Sequence, residues 1–173
     1  MKWLGLLAIA LYAVHGGYHL LQHRAADLLW ACHMATLAVG VGCLAGSAPV
    51  VTVGLSLLVF GLPLWVVDMA TGGELLLTSI GTHVGGLVVG VLATRQLGWP
   101  EGTWWKAVAV SLVILLVTRL LTPAPANINL VFAVAGGWER WFPSHRVYLA
   151  GLVAASAGVF FMTERAARSL LAR

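Results

Sequence analysis

Charged residues are scarce in this chain: 9% of 173 residues, against 60% that are hydrophobic. An average soluble domain is about a quarter charged, and so few charges cannot keep a surface of this size in water. That excludes a soluble globular domain, and a disordered chain, which needs low hydrophobicity and high net charge. Cysteine is scarce too. Cys32 and Cys43 are the only two. On one continuous helix they would lie about 16 Å apart along the axis, beyond disulfide reach, so a disulfide-stapled secreted module is excluded as well. The sequence also lacks a phosphate loop, a dinucleotide fingerprint, an HExxH pair and a GxSxG elbow. There is no charge ladder of the voltage-sensor kind and no alternation of the β-barrel kind. The net charge of +4 comes from Lys and Arg at the ends of apolar runs, where they meet lipid headgroups. It does not point to nucleic acid as a partner.

What is present is a series of long apolar runs. A span needs about 20 mostly apolar residues, so the chain has room for six or seven helices and no separate soluble domain. The expected fold is an all-α, polytopic transmembrane bundle of about six spans, one integral membrane domain over residues 1–173. The first run, Trp3 to about Leu21, also looks like the start of a signal peptide. Val14-His15-Gly16-Gly17 is a poor cleavage site, so a retained helix is expected. The second span runs from Asp27, read as an N-cap, to about Ala45. The third starts at Pro49 and ends near Val67, with a kink expected at Pro63. Gly72-Gly73 breaks the chain, and Glu74 to about Thr94 is the fourth. Trp104 to about Leu121 is the fifth, and His145 to about Met162 the sixth, followed by a basic tail. Between the last two, Ile128 to Ala135 is apolar but too short to cross. It should lie at the interface or re-enter, buried by protein. Glycines four apart (Gly42 and Gly46, Gly81 and Gly85, Gly86 and Gly90) suit close helix packing in lipid.

Six spans put both termini on one side, with Lys2, Arg95, Lys106, Arg165, Arg168 and Arg173. The other side has Arg24, Arg119, Arg140 and Arg146. The positive-inside rule then predicts cytoplasmic termini, as for a multi-pass protein of a bacterial inner membrane. All six histidines fall in the half remote from the termini, as do Asp27, Asp68, Glu74 and Glu139. Ionisable groups at membrane depth are costly and usually face the bundle interior or a wet cavity. His15, His33 and His83 fall at similar depth, so a shared pocket under the outer headgroups is expected if their faces converge.

His15 and His19 are four apart and share a helix face, a common arrangement for binding a metal. Imidazole suits zinc and iron, among others. His15, His33 and His83 together supply three nitrogens, the open arrangement of a catalytic metal. Asp68 is the candidate fourth ligand, or the group that orients one imidazole. The competing reading is a structural network that satisfies itself across helices. Cys32 is a candidate nucleophile if a histidine takes its proton; an inert core thiol is the bland alternative. Ser79 and His83 are also four apart, although such a Ser more often bonds its own helix carbonyl. His23 and His145 read as interfacial. Arg119 and Asn129 are the candidate substrate contacts, Arg119 through a lipid phosphate. Asn127 and Asn129 also suit irregular buried backbone.

Trp30-Ala31-Cys32-His33, Thr82-His83-Val84-Gly85-Gly86 and Asn127-Ile128-Asn129 together resemble the multi-pass membrane family named for the bacterial protein YwaF, related to an animal transmembrane acyltransferase. The resemblance covers roughly residues 27 to 132. It implies acyl transfer on lipids, with Cys32 as nucleophile and His33 or His83 as base. The chain departs from that pattern: Cys precedes His, Leu130 stands where an aromatic would, and the spans number six rather than seven.

The leading expectation is an intramembrane enzyme acting on a lipid or other lipophilic small molecule by hydrolysis or acyl transfer. It would be metal-assisted, with zinc or iron held by His15, His19, His33 or His83, or thiol-assisted through Cys32. The rival is a haem- or metal-binding membrane protein for electron transfer or ion handling. Membrane lipids are the expected surroundings, and the oligomeric state is left open.

Overall fold

The computed structural model describes residues 1–171. Ala172 and Arg173, the latter counted among the charges above, lie outside the described residues. The described chain is all-helical. Six helices follow one another: α1 (Lys2–Leu21), α2 (Ala31–Ala45), α3 (Ala48–Ala70), α4 (Leu77–Leu97), α5 (Thr103–Leu121) and α6 (His145–Leu171). Five are long and apolar enough to cross a membrane, and α2 is a shorter apolar helix. The chain is thus read as a membrane-spanning bundle. The last helix continues through the stretch read as a basic tail, and α3 runs unbroken through Pro63.

Glycine lets α2 lie against both its neighbours. A Cβ on Gly40 would stand 3.1 Å from Gly5 O of α1, and one on Gly54 of α3 would stand 2.8 Å from Ala35 O. These are backbone-to-backbone contacts that a side chain would prise apart. Of the glycines four apart, Gly85 faces Leu11 and Gly90 faces Leu55. Gly46 instead ends α2 in the left-handed conformation, φ 63°, where glycine carries no Cβ penalty. The core is centred on Val39, Val51, Leu58, Val89 and Phe160.

Two departures from a regular bundle position the site. First, α2 has 15 residues, about 22 Å, against a hydrocarbon core of about 30 Å. Its start is therefore sunk, and Asp27 is not its N-cap. Asp27 lies in a separate 3-10 turn, Ala25–Leu29, and the helix opens four residues later at Ala31 behind Trp30. The loop after α5 folds over this recess. Ile128 and Val131 are buried, as expected for a re-entrant segment covered by protein. Second, α4 contains a π-helical stretch, Gly81–Gly85, with His83 inside it. Such a stretch inserts one extra residue per turn and turns the side chains that follow.

Candidate metal centre

His15 and His19 are on the last turns of α1 and His33 is on the first turn of α2, all three buried. Their Nε2 atoms converge. His15 Nε2 is 3.0 Å from His33 Nε2 and 3.2 Å from His19 Nε2. The far side of each ring is held. His33 Nδ1 donates to the main-chain oxygen of Asp27 at 2.8 Å. His19 Nδ1 lies 3.0 Å from Asp27 Oδ2, at ion-pair distance although off the hydrogen-bond line. His15 Nδ1 is 2.9 Å from Thr78 Oγ1 of α4. Arg24 Nε in turn sits 2.6 Å from Asp27 Oδ2, so this acid orients one imidazole with its backbone and another with its carboxylate.

These partners fix where the protons are. A carbonyl oxygen and a carboxylate only accept. The Nδ1 of His33 therefore carries the hydrogen and its Nε2 is a bare lone pair in the neutral ring; a His19 Nδ1–H turned to the Asp27 carboxylate would leave its Nε2 in the same state. Both face His15 Nε2, which can offer at most one N–H. In that arrangement at least one buried lone pair faces another acceptor. Such a group is costly to leave unmet, and a cation shared by the three nitrogens meets it. The spacing suits this. Metal–nitrogen bonds of about 2.0–2.1 Å place neighbouring ligands of a tetrahedral or octahedral ion about 2.9–3.4 Å apart. His15, His19 and His33 form one group able to hold an ion.

A second group shares His33. Cys32 Sγ and one ring nitrogen each of His33 and His83 lie mutually within 4.8 Å. His83 Nδ1 donates to Ser79 O at 2.9 Å, which leaves its Nε2 buried without a partner. Its ring stacks on Trp65, centroids 4.8 Å apart and planes at 15°. All four histidines and Cys32 line one cavity of about 430 Å³, within the range of ligand pockets.

The remaining sequence-predicted residues are placed differently. Asp68 lines the cavity but makes no hydrogen bond to a histidine among the described residues. The orienting acid is Asp27, because the 3-10 turn carries it down into the recess while Asp68 closes the far helix α3. Ser79 Oγ approaches His83 Nδ1 at 3.3 Å, but that nitrogen already donates to Ser79 O, so the ring does not activate the hydroxyl. Asn129 spends its amide on structure. Its Oδ1 accepts from Ala31 N at the sunken start of α2, and its Nδ2 donates to Leu29 O and Thr118 Oγ1. Arg119 Nη1 donates to Val131 O and its guanidinium lies over Phe132, 4.2 Å from the ring centroid, bracing the loop rather than reaching the cavity. His145 Nε2 donates to Leu130 O, and His23 is exposed. Thr78, Arg24 and Trp65 carry no site signal in the sequence. Asp27 carried a signal, an acid at the histidine end of the chain, that the N-cap reading absorbed.

No protein-family model, curated protein or solved structure matches this chain.

Proposed function

We propose that the chain is a membrane-embedded metalloenzyme that hydrolyses a lipid or another lipophilic substrate. The three converging Nε2 atoms with their opposite nitrogens tied down carry this reading. Neutral imidazoles oriented by a carbonyl, a carboxylate and a hydroxyl are the arrangement of metal ligands with their supporting shell. Zinc suits three nitrogens best, and iron is the other candidate. A bound ion supplies a Lewis acid and a water activated near neutral pH.

The chain's own residues supply the rest. His15, His19 and His33, which line the cavity, would hold the ion. Asp27 and Arg24 fix the rings. His83 Nε2, bare and buried, is the acceptor for the proton of the attacking water. That oxygen bonds the ester carbonyl carbon, the carbon–oxygen bond to the alcohol breaks, and the departing alkoxide takes the proton back from His83. With cytoplasmic termini the site opens to the outer leaflet of a bacterial inner membrane.

Elemental analysis of the purified protein tests the reading. The expected result is one zinc or iron per chain, lost in His33→Ala. A protein that takes up neither ion on loading, or one whose metal content survives His33→Ala, refutes it. A haem suits this geometry less well. Two axial imidazoles on opposite faces of a haem stand about 4 Å apart, twice a metal–nitrogen bond, whereas His15 and His33 meet at 3.0 Å with no gap for a macrocycle. A second reading rests on Cys32 beside the bare His83: the thiol bonds the carbonyl carbon of an acyl ester as His83 takes its proton, the donor's carbon–oxygen bond breaks and its alcohol leaves with that proton, and an acceptor hydroxyl then takes the acyl group and frees the thiol. Selective alkylation of Cys32 that abolishes activity while the metal stays bound favours that route.

A further inference from the structure

We infer that the cavity beyond the histidines is a slot for a single long acyl chain, with its floor at Phe160. The inference rests on the proposed lipid-hydrolase reading and names its substrate class: an amphiphile whose ester or amide lies at the histidines and whose chain runs down between α3, α5 and α6.

The lining shows a direction. At the histidine end it carries Arg24, Asp68 and Glu74, the groups that suit headgroup depth. Away from that end the wall is Leu57, Phe60 and Leu64 of α3, Ile114 of α5, and Leu152 and Phe160 of α6. Two serines also line this deeper part, yet neither offers its hydroxyl to an occupant. Ser111 Oγ donates to Val108 O and Ser156 Oγ donates to Val153 O, both at 2.8 Å. Their O–H groups are thus turned into their own helices, and the slot presents almost no donor. A polar or sugar-like occupant would be left without partners there, whereas a hydrocarbon chain loses nothing.

Length agrees. On α6 the lining runs from Tyr148 to Phe160, about 18 Å at 1.5 Å per residue. On the antiparallel α3 it runs from Met69 to Leu57, about 18 Å by the same rise. Two helices independently give the extent of a long acyl chain. The floor is firm: Phe160 is fully buried and meets Phe60 edge-to-face at 6.0 Å.

The test uses the full-length protein in detergent and a palmitic acid with a photoreactive diazirine at its methyl end. After irradiation, crosslinks should map to α6 and α3 around Phe160 and Leu57. Unlabelled palmitate should compete and butyrate should not. Ser156→Trp, which fills the slot midway, should cut labelling by about tenfold or more, equivalent to ~1.4 kcal/mol. Phe160→Ala, which lowers the floor, should move the preferred competitor to a longer chain, and it keeps the test decisive if Ser156→Trp does not fold. Crosslinks spread over the outward residues Leu112, Val113 and Leu116, or a competitor preference indifferent to Phe160→Ala, would overturn the slot. Metal content measured on the same samples separates the two claims. Labelling at Phe160 without a metal leaves the slot standing and removes the hydrolase, and a bound metal without labelling does the reverse.

Discussion

Two clusters of buried polar side chains sit at opposite ends of the bundle, and they differ in how donors and acceptors balance. At the end where the chain begins and finishes, Glu164 of α6 is buried. Its Oε1 accepts from Gly102 N at 2.9 Å and its Oε2 from Trp104 N at 2.8 Å. These are amides at the start of α5, which has no partner for them within its own helix. Arg168 lies 3.9 Å from the same carboxylate. The carboxylate and both amides have partners of the opposite kind, while Thr94 Oγ1 and Trp99 Nε1 at the same end have none. At the histidine end ring nitrogens meet one another at 3.0 and 3.2 Å, with at most one N–H on His15 Nε2 for two neighbours, and His83 Nε2 has no partner. Burial and polarity are alike in the two places. The meeting of ring nitrogens is what separates the two: one is a fastening between helices, and the other is a group able to hold a cation.

Substitutions at the two ends should therefore separate binding from stability. The largest effect expected is on metal uptake: His33→Ala loses the ion, since it removes the nitrogen common to both candidate groups, as inductively coupled plasma mass spectrometry would show. The same chain stripped of metal should lose little stability when His19 becomes Leu, because a ring nitrogen facing another is replaced by an apolar group of similar size and Arg24 still pairs with the Asp27 carboxylate that His19 leaves. A large fall in the metal-free thermal midpoint for His19→Leu would mean that the histidines are a self-sufficient network after all. Glu164→Ala is the counterpart. It should cost about 2–5 kcal/mol by stranding two amides at the start of α5, read as a lower unfolding midpoint in detergent, with metal content unchanged. Asp27→Asn keeps the main-chain acceptor for His33 and removes the charge beside His19. Its expected signature is a 10–100-fold weaker metal affinity in competition with a chelating dye. Asn129→Ala should be the mildest, about 1–2 kcal/mol from the lost tie at Ala31, with the metal retained. A loss of metal there would couple the loop to the site more tightly than its hydrogen bonds suggest.

Much of this arrangement could be read from residue order. Continuous apolar runs give the six helices, and span parity puts all the histidines at one end. The i,i+4 pair His15 and His19 share a face, so their meeting follows from helix geometry. What could not be read is rotation between helices. Of the expected trio His15, His33 and His83, the structure brings His33 to His15 but puts His19 where His83 is expected, with Asp27 behind it, while the π-helical turn leaves His83 against Trp65. Both causes are local irregularities. Gly81, Gly85 and Gly86 permit an extra residue in the turn without showing that it is used. A 15-residue helix behind a 3-10 turn has the same apolar composition as a longer helix that includes the turn. Asn129 was equally ambiguous. An amide suits a ligand or a backbone cap, and only the positions of Ala31 N and Leu29 O decide for the cap.

The widened turn at Gly81–Gly85 makes the geometry sensitive to chain length as well as to residue type. Excising Val84 would restore an ordinary helical repeat and swing everything before it by about 100° relative to the stretch anchored against Leu55. His83 would leave the Trp65 face with its chemical identity intact. A one-residue indel here would thus re-aim His83 without any point mutation in the three-histidine cluster itself.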